Sequence, residues 1–238
     1  MTVLSVNINK VALVRNSRGC DEPNVLQFSK DLIKCGAQGI TLHPRPDGRH
    51  ALYSDVFELK ENIDVELNVE GYPSEDFLAM VCESKPAQCT LVPDPPDALT
   101  SDSGWDCKNN LEYLQAVCKR IKDAGVRVSI FLDPDPSQVE FAKATGTDRI
   151  ELYTQAYAET YGTDEFEKVF EGYRATAQAA VEAGLEINAG HDLNQENLAY
   201  LKHNLPGLEE VSIGHALVCE MLYDGMQKTI TGYLDCLK

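Results

Sequence analysis

The sequence lacks long apolar runs and has little positive charge. Charged residues interrupt every hydrophobic stretch well before the roughly 20 apolar residues that a membrane-spanning helix needs, which argues against a membrane protein. The chain has 21 lysines and arginines against 38 acidic residues, a formal net charge of −17. Because nucleic acids and anionic lipids are bound mainly through lysine and arginine, we expect neither as a partner. A small molecule is the favoured partner.

An export signal and a paired cysteine motif are also missing. The first ten residues contain no basic segment, long apolar core or small-residue cleavage site, so we expect a cytoplasmic protein. The eight cysteines are scattered, and no two of them form a Cys-x-x-Cys pair. This spacing favours free thiols over disulfides, and the lack of a His-x-His pair as well predicts that there is no metal site.

The composition is that of an ordinary globular protein. Hydrophobic residues make up 43% of the 238 positions and charged residues 25%, which is enough apolar surface for one large core. No Ser/Gly-rich linker divides the chain. We therefore expect one domain that spans residues 1–238.

Short β-branched runs alternate with longer amphipathic segments, and glycine recurs where a helix gives way to a strand. Such alternation predicts an α/β protein with a parallel sheet, and eight units predict closure into a (β/α)8 (TIM) barrel, with a doubly wound open sheet as the alternative. The predicted strands are Val3 to Ile8, Gly39 to His43, Val65 to Glu70, Gln88 to Val92, Arg127 to Leu132, Arg149 to Tyr153, Glu186 to Ala189 and Glu210 to Ile213. The clearest predicted helices are Asn109 to Ala124, Asp164 to Ala183, Asn194 to His203 and a last helix from Ala216 to Leu237.

Polar residues stand at or just after the carboxyl ends of the predicted strands, where a barrel carries its active site. Alternation along the third strand points Asn68 and Glu70 into the barrel if Leu67 and Val69 face the helices. Buried carboxylates are costly when ionised, so Glu70 and Glu151 are candidates for raised pKa values and for acid–base work. The polar residues in or just after the strands are Asn7, Asn9, His43, Arg45, Glu70, Asp133, Glu151, His191 and His215, and Gly214 precedes the last of them.

Each of these residues also has a purely structural interpretation. A single buried histidine such as His43 is more often a hydrogen-bonded core residue than a catalyst. Glu70 could form a salt bridge with Arg45 at the mouth of the barrel. Asp133 precedes a proline and is better explained as a loop and helix-cap residue.

Two groups of residues predict anion sites. The segment TLHPRPDGRH concentrates His43, Arg45, Arg49 and His50, and guanidinium groups match the geometry of phosphate. The second group comprises INAGHDL and SIGHAL, which follow the seventh and eighth strands. There, glycines let the backbone approach a ligand and the amino termini of helices face it, as is usual for phosphate in such barrels.

The motifs at the strand ends resemble those of the pyridoxine 5'-phosphate synthase family. Along the chain they read N-I-N-K-x-A-x-x-R-N-x-R-G, T-x-H-x-R-x-D-x-R-H, N-V-E, L-V-P followed by A-L-T, R-I-E-L, N-A-G-H and I-G-H-A. They stand in the family's order over essentially the whole chain. The resemblance implies a (β/α)8 barrel that condenses 1-deoxy-D-xylulose 5-phosphate with 3-amino-2-oxopropyl phosphate to pyridoxine 5'-phosphate, inorganic phosphate and water. It further implies that no metal or organic cofactor takes part and that the protein forms a homo-octamer.

The resemblance implies a role for each motif residue. His43 and Glu70 would be general bases, His191 a general acid, and Glu151 a carboxylate that supports charged intermediates. Residues that would bind the deoxyxylulose phosphate are Arg45, His50 and Thr100. Residues that would bind the amino ketone phosphate are Asn7, Arg18, Asp192, Gly214 and His215.

Two positions depart from the family pattern. The family commonly has Asp-His where this chain has Asn9-Lys10, a pair expected to contact the deoxyxylulose phosphate, and Lys10 could pair with phosphate there. Glycine is usual at the position of Asp192. Two alternative functions remain, since a fold alone does not determine chemistry. One is another phosphosugar isomerase or aldolase, and the other is a non-catalytic protein that binds phosphorylated metabolites.

Overall fold

The computed structural model describes residues 2–94 and 103–238, in which eight strands follow one another around a closed barrel. The strands are β1 (Val3–Asn7), β2 (Gly39–Leu42), β3 (Glu66–Gly71), β4 (Gln88–Leu91), β5 (Arg127–Leu132), β6 (Arg149–Tyr153), β7 (Glu186–Gly190) and β8 (Leu208–Ile213). The helices are α1 (Asn9–Asn16), α2 (Val25–Cys35), α3 (Tyr53–Asn62), α4 (Glu75–Ser84), α5 (Leu111–Asp123), α6 (Val139–Ala144), α7 (Gln155–Thr160), α8 (Phe166–Glu182), α9 (Leu198–Asn204), α10 (His215–Asp224) and α11 (Met226–Cys236). Within the described ranges, no helix is long and apolar enough to span a membrane.

The first and last strands close the barrel. On one edge, β1 pairs in parallel with β2, with Ser5 opposite Gly39. On its other edge, β1 pairs in parallel with β8, with Val3 opposite Glu210. The predicted (β/α)8 barrel is therefore confirmed, and the doubly wound open sheet is wrong.

Side chains along each strand alternate between the surrounding helices and the barrel interior. In β3, Leu67 and Val69 are buried in the apolar core. Between them, the Asn68 side chain donates a hydrogen bond to the Thr41 hydroxyl at 3.4 Å and accepts one from the Thr90 hydroxyl at 3.0 Å. The twofold period of a strand thus places apolar side chains against the helices and polar ones inside, as predicted.

Ion pairs occupy the amino-terminal end of the barrel. Arg149 on β6 lies 2.9 Å from Glu210 on β8 and also pairs with Glu186 on β7. Arg127 on β5 pairs with Glu66 on β3. Each of these carboxylates therefore has a guanidinium partner.

The predicted elements differ from the observed ones mainly at their ends. Strands β5 and β6 have the predicted bounds, and the other strands begin and end within two residues of the prediction. The predicted helix from Ala216 to Leu237 is wrong as a single helix, because it divides into α10 and α11 at Gly225. Gly225 has φ 77 and ψ 157, a conformation that glycine adopts readily and other residues avoid.

The predicted helix from Asn194 to His203 begins later, at Leu198. The backbone N–H of Asn194 donates to the side chain of Asn197, and the backbone N–H of Asn197 donates to the side chain of Asn194. These reciprocal bonds resemble a capping box, so the chain turns at residues 194–197 directly before α9 begins.

Candidate active site

A cavity of about 450 Å³ opens at the carboxyl ends of the strands. Its lining includes most of the residues that the sequence singles out, although they are spread from the first strand to the last. The predicted residues that it brings together are Asn7, Asn9, Lys10, His43, Arg45, His50, Glu70, Glu151, His191, Asp192, Gly214 and His215. The barrel thus assembles one polar pocket from segments that are distant along the chain.

The structure does not place two of the predicted residues in the cavity, for different reasons. Arg18 follows α1 and is exposed to solvent in the chain as described. Thr100 lies outside the described residues.

Glu70, near the end of β3, is half-buried and lines the cavity. The Asn7 amide donates a hydrogen bond to its Oε2 at 3.3 Å, and the Ser212 hydroxyl donates one to its Oε1 at 3.4 Å. Burial disfavours the ionised carboxylate more than the Ser212 bond favours it, so the pKa of Glu70 is raised to about 7. Glu70 can therefore gain or lose a proton near neutral pH.

Glu151 lies on β6 and is almost completely buried. Burial raises the pKa of Glu151 well above its ordinary value, and the negative charge of Glu70 raises it further. The Thr90 hydroxyl donates a hydrogen bond to Glu151 Oε2 at 3.4 Å. Gly190 makes room for this side chain, since a Cβ at that position would lie 2.5 Å from Glu151 Oε1. The ionised form of Glu151 is therefore disfavoured, and it lies beside an ionisable Glu70.

His43 follows β2 and is buried beside a cationic segment. Its backbone N–H donates a hydrogen bond to Asn9 Oδ1 at 2.8 Å, which ties the end of β2 to the start of α1. Burial lowers the pKa of the His43 ring, and the nearby Arg45, His50 and Arg49 lower it further. The ring is therefore neutral at physiological pH and can accept a proton.

His191 and Asp192 form an adjacent pair on the opposite side of the barrel, just after β7. Both have a positive φ, of 92 and 55 degrees, in a region that few non-glycine residues adopt. The Asp192 carboxylate lies 2.9 Å from His191 Nδ1. The Thr154 hydroxyl donates to the backbone carbonyl of His191, and the ring of Tyr153 lies edge-on to the imidazole with centroids 5.0 Å apart. The His191 ring is therefore held by its neighbours on two sides.

Positive charge collects where β2 leads into α3. Arg45 is buried and its guanidinium lies 2.8 Å from the Asp94 carboxylate. The pKa of His50 is lowered to about 4 by burial and then by the charges of Lys10, Arg45 and Arg49. Burial is the largest cause of this shift, and the three cations near His50 favour binding of an anion.

A second anion position lies at the end of β8. Gly214 precedes α10 and His215 is the first residue of that helix, so backbone N–H groups and the positive end of the helix dipole face the cavity. Gly214 also packs against Asn7, because a Cβ on Gly214 would lie 3.1 Å from the Asn7 Cβ. This close approach joins the ends of β1 and β8.

The chain matches the protein family described as "Pyridoxal phosphate biosynthesis protein PdxJ" over residues 4–238. It is 54% identical to the pyridoxine 5'-phosphate synthase of Parabacteroides distasonis over 237 residues, which cover 100% of this chain and 99% of the relative. It is 52% identical to the protein of the same name from Christiangramia forsetii, with 100% of both chains covered. The chain belongs to the pyridoxine 5'-phosphate synthase family.

Among solved structures, the barrel is similar to phosphoribosylanthranilate isomerase from Thermotoga maritima. The TM-score is 0.63, the sequence identity is 12%, and the alignment covers 100% of this chain and 98% of the other. At this identity the likeness concerns the fold alone.

Asn9, Lys10 and Asp192, which were expected from the sequence to differ from the family pattern, all line the cavity. Asn9 accepts the hydrogen bond of the His43 backbone N–H through its side-chain oxygen, which an aspartate could also do. Lys10 lines the cavity and adds to the positive field at His50. Asp192 turns its carboxylate towards the His191 ring.

The sequence did not single out several other lining residues. Ser212 donates to Glu70, and the alternation of β8, in which Val211 and Ile213 are buried in the core, could have identified it. Gln155 follows β6 and carried no comparable signal. Val92 and Phe131 supply apolar walls that resemble ordinary core residues in sequence.

The Arg45 side chain has a different partner from the one considered in the sequence. Arg45 pairs with Asp94, whereas Glu70 takes its hydrogen bonds from Asn7 and Ser212. Asp94 follows β4, so it meets Arg45 only when the barrel has formed.

Proposed function

We propose that the cavity condenses 1-deoxy-D-xylulose 5-phosphate with 3-amino-2-oxopropyl phosphate to pyridoxine 5'-phosphate, inorganic phosphate and water. Membership of the pyridoxine 5'-phosphate synthase family supports this step in vitamin B6 synthesis. One observation carries the assignment to this cavity. It contains two carboxyl groups with raised pKa values and a neutral buried imidazole, next to a cationic segment.

The reaction needs repeated proton transfers, because an amine joins a ketone, water and phosphate leave, and the ring becomes aromatic. Glu70 has a pKa of about 7 and can act as a base that regenerates at neutral pH. His43 is neutral and can accept a second proton. His191 lines the other side of the cavity and acts as the general acid.

Glu151 supports the positively charged intermediates. Burial and the negative charge of Glu70 disfavour its ionised form in the substrate-free cavity. A cationic intermediate nearby favours the carboxylate, because opposite charges attract strongly in a buried site. The Glu151 carboxylate would then balance the positive charge of the intermediate.

Two separate groups of residues bind the two phosphates. Arg45, His50 and Lys10 surround the first position, where a guanidinium and an ammonium can stabilise the phosphate that is expelled. Thr100 is proposed to complete this position. The second position lies at Asn7, Gly214 and His215, where the start of α10 faces the phosphate, and Asp192 and Arg18 are proposed to complete it.

The alternative barrel chemistries fit the cavity less well. A Schiff-base aldolase requires a lysine in the pocket, and Lys10 is the lysine that lines the described cavity. Lys10 lies in the cationic group beside His50, which suits phosphate binding.

A two-substrate assay tests the proposal. Purified protein is mixed with both phosphates, and the pyridine absorption of the product is followed together with the release of inorganic phosphate. We expect both signals to rise together and neither substrate alone to produce them. Binding of both phosphates without product would support the non-catalytic alternative, and cleavage or isomerisation of one phosphosugar alone would support the aldolase or isomerase alternative.

The class, location and assembly of the protein are further parts of the proposal. Ring closure with loss of phosphate places the enzyme among the transferases. The family resemblance also favours a cytoplasmic homo-octamer that works without a metal or organic cofactor. Light scattering after size-exclusion chromatography measures the assembly, and activity after treatment with EDTA tests the need for a metal.

A further inference from the structure

Helix α1 contacts both ends of the segment that joins β2 to α3, residues 43–52, which we call the anion loop. At one end, Asn9 accepts a hydrogen bond from the His43 backbone N–H. At the other end, Asn16 contacts the backbone of Gly48 and His50. The loop that carries the cationic side chains is therefore held by the first and last residues of one helix.

The far end of α1 is itself held by a buried ion pair. The Arg15 guanidinium forms two hydrogen bonds with Asp55 at the start of α3, at 2.6 and 2.9 Å. The Arg15 and Asp55 side chains are only 8% and 6% exposed. Asp55 Oδ2 also accepts the Leu52 backbone N–H at 2.7 Å. The end of α1 and the start of α3 are thus joined by a bidentate contact, which restricts rotation as well as distance.

Asn16 connects the Arg15–Asp55 ion pair to the anion loop. Its side-chain oxygen accepts a hydrogen bond from Arg15 Nε at 2.9 Å, which sets the orientation of the amide. Its Nδ2 group then donates to the carbonyl oxygen of Gly48 at 2.8 Å and to that of His50 at 2.5 Å. One amide group therefore satisfies an arginine on one side and two loop carbonyls on the other.

We propose that Asn16 is a positioning residue for the deoxyxylulose phosphate, which it orders through the backbone of His50 without touching the ligand. The inference rests on the proposed function of the cavity. A phosphate site is stronger when its groups are ordered before the ligand arrives, because the entropy of ordering the loop is then not subtracted from binding. Asn16 and Arg15 hold the anion loop in the folded protein before a ligand binds.

The test compares Asn16→Ala with Asn62→Ala. Asn62 is the last residue of α3, as Asn16 is of α1, and its side chain donates to one carbonyl of its own helix at 2.8 Å. For Asn16→Ala we expect KM for deoxyxylulose phosphate to rise about tenfold, which corresponds to about 1.4 kcal/mol of binding. We expect kcat and KM for the amino ketone phosphate to stay within about threefold of wild type. Asn62→Ala should leave all three constants unchanged.

A second measurement does not depend on turnover. Amide hydrogen exchange of residues 43–52 in the substrate-free protein should be faster in Asn16→Ala than in wild type, and unchanged in Asn62→Ala. If wild type makes no product, the proposed function fails, while the exchange result still reports whether Asn16 orders the loop. Unchanged exchange would overturn the positioning role, and so would an unchanged KM or equal losses for both substrates.

Asn16→Asp provides the isosteric comparison. The carboxylate can still accept the Arg15 bond but has no N–H group for the carbonyls of Gly48 and His50. We expect loop exchange to increase at least as much as in Asn16→Ala. Wild-type exchange in Asn16→Asp would show that the Arg15 contact alone orders the loop, which contradicts the proposal.

Discussion

Glu66 and Glu70 lie at opposite ends of the same strand, β3, and their carboxyl groups differ in charge state. Glu66, at the amino-terminal end, is hydrogen-bonded by the Arg127 guanidinium, which lowers the pKa of that carboxyl group. Glu70, at the carboxyl end, accepts hydrogen bonds from the neutral side chains of Asn7 and Ser212, and burial raises its pKa to about 7. At neutral pH, one strand therefore carries an ionised carboxylate at one end and a carboxyl group that titrates at the other.

A second pair of glutamates shows why the ends differ. Burial raises the pKa of both Glu210 and Glu151. Arg149, 2.9 Å from Glu210, opposes the rise there, whereas the charge of Glu70 adds to the rise in Glu151. Burial raises the pKa of carboxyl groups at both ends of the barrel, and at the amino-terminal end a guanidinium in direct contact opposes that rise.

The largest expected effect follows removal of proton transfer at Glu70. Glu70→Gln retains the shape of the side chain, so we expect normal folding and a fall in kcat of about 10²- to 10⁴-fold, the usual contribution of a general base. Steady-state kinetics and the thermal midpoint measure the two properties. Turnover within a few-fold of wild type would show that Glu70 is not a base in the reaction. Glu70 and Glu66 would then differ in pKa but not in catalytic role.

The next largest effect is expected at Lys10, which lines the cavity beside His50. Lys10→Ala removes a charge-assisted contact worth about 1.5 to 3 kcal/mol, which is roughly ten- to hundredfold in KM for deoxyxylulose phosphate. KM for the amino ketone phosphate should stay within about threefold, because its proposed site is at β8. Lys10→Arg retains the charge and should recover most of the loss. Equal kinetics in Lys10→Ala and wild type would make Lys10 a solvated charge at the rim of the cavity.

Acidification should inactivate the enzyme through Glu70. A base must be ionised to accept a proton, and a group whose pKa is raised to about 7 loses its ionised form as the pH falls below that value. We expect kcat/KM to fall about tenfold per pH unit below about 7, as for a single ionisation of the free enzyme. A profile flat from neutral pH down to pH 5, about where an unperturbed glutamate begins to titrate, would contradict the raised pKa.

The sequence predicted the barrel and most of the cavity because both follow from local rules. A period of two residues along β3 places Glu70 inside, and the strand-end position of His43 and His191 places them on the active rim. The resemblance to a known family added the substrates and roles, which periodicity cannot supply. The bounds of the helices were predicted less accurately. The break between α10 and α11, for example, depends on a conformation of Gly225 that is not evident in the sequence.

The remaining features depend on contacts between segments that are distant along the chain. Asp94 meets Arg45, and Asn16 meets the carbonyl of His50, only after neighbouring βα units have packed together. A side chain's type shows what it can bond to but not which of many carbonyls it reaches. The hydrogen-bond and ion-pair partners of these side chains are therefore known only from the structure.

The smallest effect is expected at the amino-terminal end of the barrel. The Glu66 side chain is 53% exposed, so solvent screens its pairing with Arg127, and exposed ion pairs contribute only about 0.2 to 1 kcal/mol. We expect Glu66→Gln to lower the free energy of unfolding by no more than that and to leave kcat and both KM values unchanged. Because pairing lowers the pKa of folded Glu66, its contribution exists above the unfolded pKa of about 4.3 and is lost as the pH falls through the folded value. Urea unfolding at neutral pH and in acid should therefore show a small difference between Glu66→Gln and wild type that disappears in acid. A loss of turnover in Glu66→Gln would instead mean that the ion pairs at this end control the proton affinity of Glu70, and the two ends of β3 could not be treated as separate.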